Sequence, residues 1–354
     1  MKQRSNAFSD LCLLTSDHMS KPLAIGVIGV GHMGRHHARV VDEADGVELA
    51  AVVDPREDVV TDVAELYGCR GYTDLAEAMG SLDAAIVAVP TAYHLQVTEP
   101  LIHKRIPVLV EKPLAATVAE AQKLAALAAE NDCFLQVGHS ERFNPAVAAV
   151  ARLQITPKFV EVDRVSPFPF RSIDIGVVLD VMIHDIDIVM SLIGQPPSRI
   201  DAVGVALMGE HEDIANARLG FDNGAVANLT ASRLAMKVER KIRIFSPQAY
   251  VTMDFRSKRG MVIRREENEQ LLDWVSAHRQ DPSMADHAPA KYEKLVNTRP
   301  LEIDETEPLR GQLHAFLEAI RSGRPAQVDA EAGLAAVRVA TDIATAIRAH
   351  DWQH

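Results

Sequence analysis

Two rhythms divide the chain. In the first part, short and almost wholly apolar runs alternate with longer stretches whose apolar positions recur every three to four residues. The short runs are Ala24–Gly29, Val47–Val53, Ala84–Val89, Val108–Glu111 and Phe134–Gly138, and they read as strands buried on both faces. The segments between them, 32–44, 56–67, 93–104 and 117–131, read as amphipathic helices. Strand and helix in strict alternation predict a parallel sheet with right-handed crossovers. The last of these helices opens with a capping-box spacing, Thr117 and Glu120, ahead of Leu124, Leu127 and Ala128 on one face.

After about residue 140 the rhythm changes. A helix reads from Gly176 to Ile193, and strand-like runs cover 159–165, 200–207, 214–221, 225–232, 238–245 and 249–254. The stretch "FDNGAV" sets Asn-Gly between two apolar runs, a hairpin signal. This half predicts an antiparallel or mixed sheet with a helix on one face. Helical patterns at about 307–321 and 329–350 close the chain, and the polar residues 277–299 read as a surface excursion. The expected fold class is therefore α/β followed by α+β. A Rossmann-type parallel sheet fills 21–140, an open mixed or antiparallel sheet flanked by helices fills 141–328, and a helix in 329–354 packs back on the body. Residues 1–20 are expected to be a disordered extension, because the apolar patch Leu11–Leu14 is too small for a secretory core.

Composition narrows the function classes. At 354 residues, 47% hydrophobic and 24% charged, the chain has the make-up of a globular protein large enough for two domains. A net charge of −12 argues against nucleic acid as a partner, since no basic surplus exists to neutralise phosphates, though it leaves room for a small anionic ligand. No apolar stretch approaches the roughly 20 residues of a membrane span. Cys12, Cys69 and Cys133 are odd in number and scattered. They form neither a disulfide framework nor a zinc set, and a cytoplasmic location fits them.

Three constellations carry chemistry. In "GVIGVGHMGRHHARV", Gly29, Gly31 and Gly34 follow a strand and open a helix, with His32 and Met33 inside the loop. Such a loop holds a pyrophosphate against the unpaired N–H groups of the helix N-terminus. Asp54 ends the next strand at the expected spacing of about 20 residues, where its carboxylate would accept the adenosine ribose hydroxyls and favour NAD over NADP. Arg56 works against that preference, since it can offset the repulsion of a 2′-phosphate. Second, "PVLVEKPLA" puts Glu111, Lys112 and Pro113 at the carboxyl end of a strand, the edge at which open α/β sheets bind ligands. A lysine there can stabilise a developing negative charge. Third, Asp180, His184 and Asp187 fall on one face of an otherwise apolar helix. Histidine is the natural proton acceptor near neutral pH. Asp180 either orients it or binds a substrate hydroxyl, and a buried structural Asp–His pair is the alternative. No second histidine stands at metal-ligand spacing, so no metal is expected.

Taken together, "GVIGVGHMGRHHA", "AVVDPRED", "AAIVAVPTAYH", "VLVEKPLA" and "VLDVMIHDIDIVMSL" resemble the glucose–fructose oxidoreductase / inositol dehydrogenase / MocA family over nearly the whole chain. The resemblance implies a Rossmann domain, a second domain whose open sheet often forms an oligomer interface (here a homodimer or homotetramer), and NAD-dependent hydride transfer at a sugar or polyol carbon. It implies Lys112 and His184 as the catalytic pair, Asp180 as a partner of His184 or the substrate, and Pro90, Thr91 and His94 near the nicotinamide. It also implies a cis Lys112–Pro113 bond. A narrower likeness runs from "VGHSERFNPAVAAV" to "RVSPFPFRSIDIGVVLDVMIHDIDIV" and points to the subgroup that oxidises C3 of UDP-N-acetylglucosamine. That likeness makes Arg142, Asn144, Arg171 and Arg233 candidate substrate ligands. The rival expectations are an inositol or free-sugar dehydrogenase, and a catalytically silent NAD-binding regulatory protein.

Overall fold

The computed structural model describes residues 21–168, 175–278, 280 and 296–350. The extension 1–20, Arg171 and most of the 277–299 excursion lie outside the described residues. The first half is a six-stranded parallel sheet of β1 (Leu23–Ile28), β2 (Val47–Val53), β3 (Arg70–Tyr72), β4 (Ala84–Val87), β5 (Val108–Glu111) and β6 (Leu135–Gly138). Its order is β3-β2-β1-β4-β5-β6. The order reverses direction between β1 and β4, and a crevice for a ligand opens at the carboxyl ends of the strands on either side of such a reversal. The strands β4, β5 and β6 are buried at every position, which is why they read as unbroken apolar runs rather than as alternation. The helices α1 (His32–Asp42), α2 (Glu57–Tyr67), α3 (Leu75–Ala78), α4 (His94–His103) and α5 (Val118–Glu130) connect them. The capping box of α5 is formed in full, with Thr117 and Glu120 each satisfying the other's backbone N–H.

The second half follows α6 (Pro145–Arg152). An eight-stranded sheet comprises β7 (Phe159–Val165), β8 (Arg199–Val205), β9 (Ile214–Gly220), β10 (Val226–Ser232), β11 (Glu239–Phe245), β12 (Ala249–Asp254), β13 (Arg259–Arg264) and β14 (Arg299–Pro300). It runs β14-β13-β12-β11-β7-β10-β9-β8, antiparallel except where β7 lies parallel to β10. The expected hairpin joins β9 to β10, with Gly224 at φ +80° in its turn. The expected helix from 176 instead begins with a π-helical turn, Val178–Met182, and continues as α7 (Ile183–Ile193). α8 (Glu269–His278), α9 (Pro308–Ser322) and α10 (Ala330–Ala349) follow. The pattern missed β3, α3, α6, β13, α8 and β14. β3 is three residues on an exposed edge, and β13 begins and ends on arginine, so neither presents an apolar run.

One continuous apolar core joins the halves, from Leu114 and Val137 beside the parallel sheet to Met182, Ile186 and Val337. α10 lies between them, and its Gly333 lets the helix approach so closely that a β-carbon there would stand 2.6 Å from Val137. Met182, Ile183 and Ile186 are wholly buried. Burial of such a side chain contributes about 1.5–3 kcal/mol, so the helix carrying His184 is fixed by its apolar face. Among the described residues no helix is long and apolar enough to cross a membrane.

Candidate active site

The glycine turn is built so that only glycine fits. Gly29 adopts φ +85°, and a β-carbon there would meet the Val89 nitrogen at 2.8 Å. A β-carbon on Gly34 would lie 1.8 Å from the Gly29 carbonyl oxygen. α1 therefore starts hard against β1, and no side chain caps it. The N–H groups of its first turn are left for a ligand or water. Around Gly31 the nearest foreign atom is Arg56 Nη2, 4.0 Å from where a β-carbon would be.

Asp54 stands at the end of β2, buried, and accepts from the Val30 N–H at 3.1 Å. Arg56 closes over it as a fork, with Nε 2.8 Å from Oδ1 and Nη2 3.0 Å from Oδ2. Burial pushes the Asp54 carboxyl up, but the hydrogen bonds and charge of Arg56 and the Val30 N–H outweigh it and hold the group below the usual carboxylate range. The turn and the carboxylate fit a dinucleotide, provided that Arg56, whose side chain is 58% exposed, swings off Asp54 to admit the ribose.

The Glu111-Lys112-Pro113 turn follows β5, and the Lys112–Pro113 bond is cis. Glu111 points inward, against His37 of α1 at 2.7 Å, and also accepts from the Lys112 N–H at 3.2 Å. Burial raises the Glu111 carboxyl, and His37 and Lys112 more than reverse that, so the group is held ionised. His94 is likewise structural in its setting. At 1% exposure its ring lies between the Pro113 carbonyl (2.9 Å from Nδ1) and the Val89 carbonyl (3.0 Å from Nε2), bracing the lysine turn against the end of β4. Burial lowers its proton affinity despite those carbonyls, and a neutral ring donates to only one of them. Pro90 is exposed and Thr91 half-buried in the turn after β4.

Lys112 reaches across to the second half. Its Nζ donates to the Asp180 carbonyl oxygen at 2.7 Å and lies 3.5 Å from the Asp180 carboxylate. His184 stands on the same helix, one turn on. Burial, then the positive charges of Lys112, Arg164 and Arg240, push His184 well below the ordinary histidine value. It is therefore a neutral imidazole near neutral pH, able to accept a proton. Its Nδ1 is buried and has no hydrogen-bond partner among the described residues.

The remaining charges of this region are tied to one another. Arg142 forks onto Asp187, at 2.9 and 2.6 Å, and also donates to Ser191. Arg164 of β7 forks onto Asp185, at 2.7 and 2.6 Å. Arg240 of β11 pairs with Glu141 and stacks over Phe255, 4.4 Å from its centroid. Thus Asp187, expected on the polar stripe with Asp180 and His184, serves as the counter-ion of Arg142. Two of the arginines expected at the substrate are also engaged inside the protein. Besides Arg142, Arg233 is 2% exposed and donates to Asp213 at 2.8 Å and to the Ile175 carbonyl at 2.9 Å. Asn144 caps α6, accepting from the Ala146 N–H at 3.0 Å and donating to Glu141. Sequence reasoning missed Asp185, Glu141, Arg164, Arg240, His37 and His139. Only the second histidine of "RHHA" carried a signal, since it falls on the buried face of α1.

Residues 23–139 match the model of an oxidoreductase family with an NAD-binding Rossmann fold, and residues 163–252 match the C-terminal domain of the same family. UDP-N-acetylglucosamine 3-dehydrogenase from Acidithiobacillus ferrooxidans is 31% identical over 325 residues, covering 92% of this chain and 97% of that protein. A solved structure of that enzyme superposes with a TM-score of 0.81 at 30% identity, over 93% of this chain and 98% of its own. Inositol 2-dehydrogenase from Rhizobium meliloti is 26% identical over 331 residues, covering 89% of this chain and 94% of that protein. The chain belongs to the GFO/IDH/MocA family and is an NAD-dependent oxidoreductase.

Proposed function

We propose that the protein oxidises a secondary hydroxyl of a nucleotide sugar, with C3 of UDP-N-acetylglucosamine as the substrate position. The observation that carries the chemistry is the meeting of Lys112, from the end of β5, with Asp180 and His184 from the other half, Nζ standing 2.7 Å from the Asp180 carbonyl. His184 takes the hydroxyl proton, which its low proton affinity permits near neutral pH. Lys112 stabilises the forming alkoxide, and Asp180 fixes the lysine's direction. NAD, held by the Gly29–Gly34 turn and Asp54, supplies the hydride acceptor. The choice of sugar is supported by the relative that is 31% identical over nearly its full length.

A second reading, oxidation of a free polyol, is favoured by one observation. Of the arginines expected to hold a diphosphate, Arg142 and Arg233 are already paired with Asp187 and Asp213, and Arg171 lies outside the described residues. The test is to incubate the protein with NAD and UDP-N-acetylglucosamine, pulling the ketone forward with a trapping reagent, and in parallel with myo-inositol, glucose and UDP-glucuronate. Reduced cofactor with the acetylated nucleotide sugar alone supports the first reading. Reduced cofactor with a free polyol alone moves the protein to the second.

We also propose that the open face of the second sheet pairs with another copy. Phe159, Phe245, Tyr250 and Ile263 stand in register across four strands of that face, with the aromatic centroids 5.6 and 4.9 Å apart. Light scattering should give a mass of two or four chains, and Phe245→Asp should lower it.

A further inference from the structure

Resting on the reading of His184 as the proton acceptor, we infer that His139 is its positioning residue. His139 holds His184 Nδ1, across one water molecule, so that Nε2 is presented to the substrate hydroxyl. His139 follows β6, at the end of the strand whose Gly138 lies opposite Glu111. Its backbone is locked: its N–H donates to the Val137 carbonyl and its carbonyl accepts from the Arg142 N–H, both at 2.9 Å. The side chain is wholly buried, and among the described residues neither ring nitrogen has a hydrogen-bond partner. The His184 ring stands perpendicular to it, with an interplanar angle of 89° and centroids 6.2 Å apart. That separation exceeds the span of two imidazoles in direct hydrogen bond and suits one intervening water.

Two arguments favour a polar role. A buried donor left unsatisfied is destabilising, so packing alone would be better served by a carbon ring at this position. A histidine base also needs a third group to fix its tautomer, usually a carboxylate. Among the described residues every carboxylate near the ring is committed: Asp180 to Lys112, Asp185 to Arg164, Asp187 to Arg142 and Glu141 to Arg240. Glu111, below, is held by His37. The cations facing the ring, namely Lys112 of β5, Arg164 of β7, Arg240 of β11 and Arg142 beside His139, offer donors only. His139 is the remaining neighbour with ring nitrogens to spare. Burial keeps it neutral in spite of Asp187, and a neutral imidazole can accept or donate as its neighbour requires.

The test follows the ring nitrogens of 15N-histidine-labelled protein in the presence of NAD, with His184→Asn assigning the His184 signals. In the wild type, His184 should carry its proton on Nδ1. An imidazolium needs an acceptor for Nδ1–H, so removing that acceptor disfavours the protonated form. The His184 midpoint should therefore move to lower pH in His139→Phe, and in His139→Met should the larger ring fail to fold. It should return toward the wild-type value in His139→Gln. The acid limb of kcat/KM should shift the same way, with the plateau lowered about tenfold, the weight of one hydrogen bond to a charged group. A wild-type proton on Nε2, or an unmoved midpoint in the apolar variants, overturns the inference. Turnover that survives in His184→Asn overturns the reading of His184 as the base instead, and leaves the nitrogen signals to decide the contact between the two rings.

Discussion

On the reading proposed above, the groups that would meet a ligand at the nucleotide end of the cleft are main-chain N–H groups in the turn from Gly29 to Gly34, plus one carboxylate, Asp54. At the substrate end they are side chains, Lys112, Asp180 and His184, supported by three arginine–carboxylate pairs drawn from the turn after β6 and from α7, β7 and β11. The first end is specified by steric permission: glycine is needed at 29 and 34 because a β-carbon at either would collide, while the space around Gly31 is open. The second is specified by charge balance in a buried setting, where each ion needs a partner. A backbone site tolerates change in its side chains and fails when its shape changes. A charged site fails when one member of a pair is lost.

The largest expected effects test that division directly. Lys112→Met and His184→Asn should each lower kcat by about 10²–10⁴, with NAD affinity retained in calorimetry. The double variant should lose far less than the product of the two, since the groups act on one proton transfer. Next comes Arg142→Met. It leaves Asp187 buried without its counter-ion and should lower stability by about 3–5 kcal/mol in urea unfolding, with KM for the sugar little moved. A rise in KM at unchanged stability would make Arg142 a ligand and erase the contrast. Asp54→Ala should weaken NAD about tenfold to a hundredfold while kcat at saturating cofactor holds. Arg56→Ala should widen the preference for NAD over NADP. If Asp54→Ala lowers kcat as much as His184→Asn does, the two ends are not separable. Smallest is Asn144→Ala, which removes a helix cap and should cost about 0.5–2 kcal/mol of stability without altering KM.

The same division explains what could be read from the chain. The glycine turn, Asp54, the Glu-Lys-Pro turn and the Asp180–His184 pair are each contained within a few residues of a recognisable strand or helix, so spacing brings them forward as candidates, and the family resemblance implies the roles of Lys112 and His184. The alternation of buried strands and amphipathic helices likewise exposes the parallel sheet. The pairs do not share that locality. Arg142 finds Asp187 45 positions on, His37 finds Glu111 74 positions on, and Arg240 finds Glu141 99 positions back. A sequence displays an arginine's charge and conceals which carboxylate will meet it. For that reason Arg142 and Arg233 stand as candidate ligands for a diphosphate in the sequence, while Asp187 falls on the polar stripe beside His184 and Asp213 goes unremarked.

The π-helical turn at Val178–Met182 makes the alignment of the site a question of angular phase. Downstream, α7 is clamped in rotation by Asp185 on Arg164 and Asp187 on Arg142. Each residue of an α-helix advances about 100° around the axis, and a π-helical turn absorbs one residue without that advance being passed on. Excising a single residue from the turn would restore the ordinary winding and draw the wide turn in, while the helix that follows keeps its phase. His184 would stay where it is, and the Asp180 carbonyl, which lies inside the turn, would leave Lys112 Nζ. The extra residue thus sets the reach of one carbonyl without altering the phase of the helix beyond it.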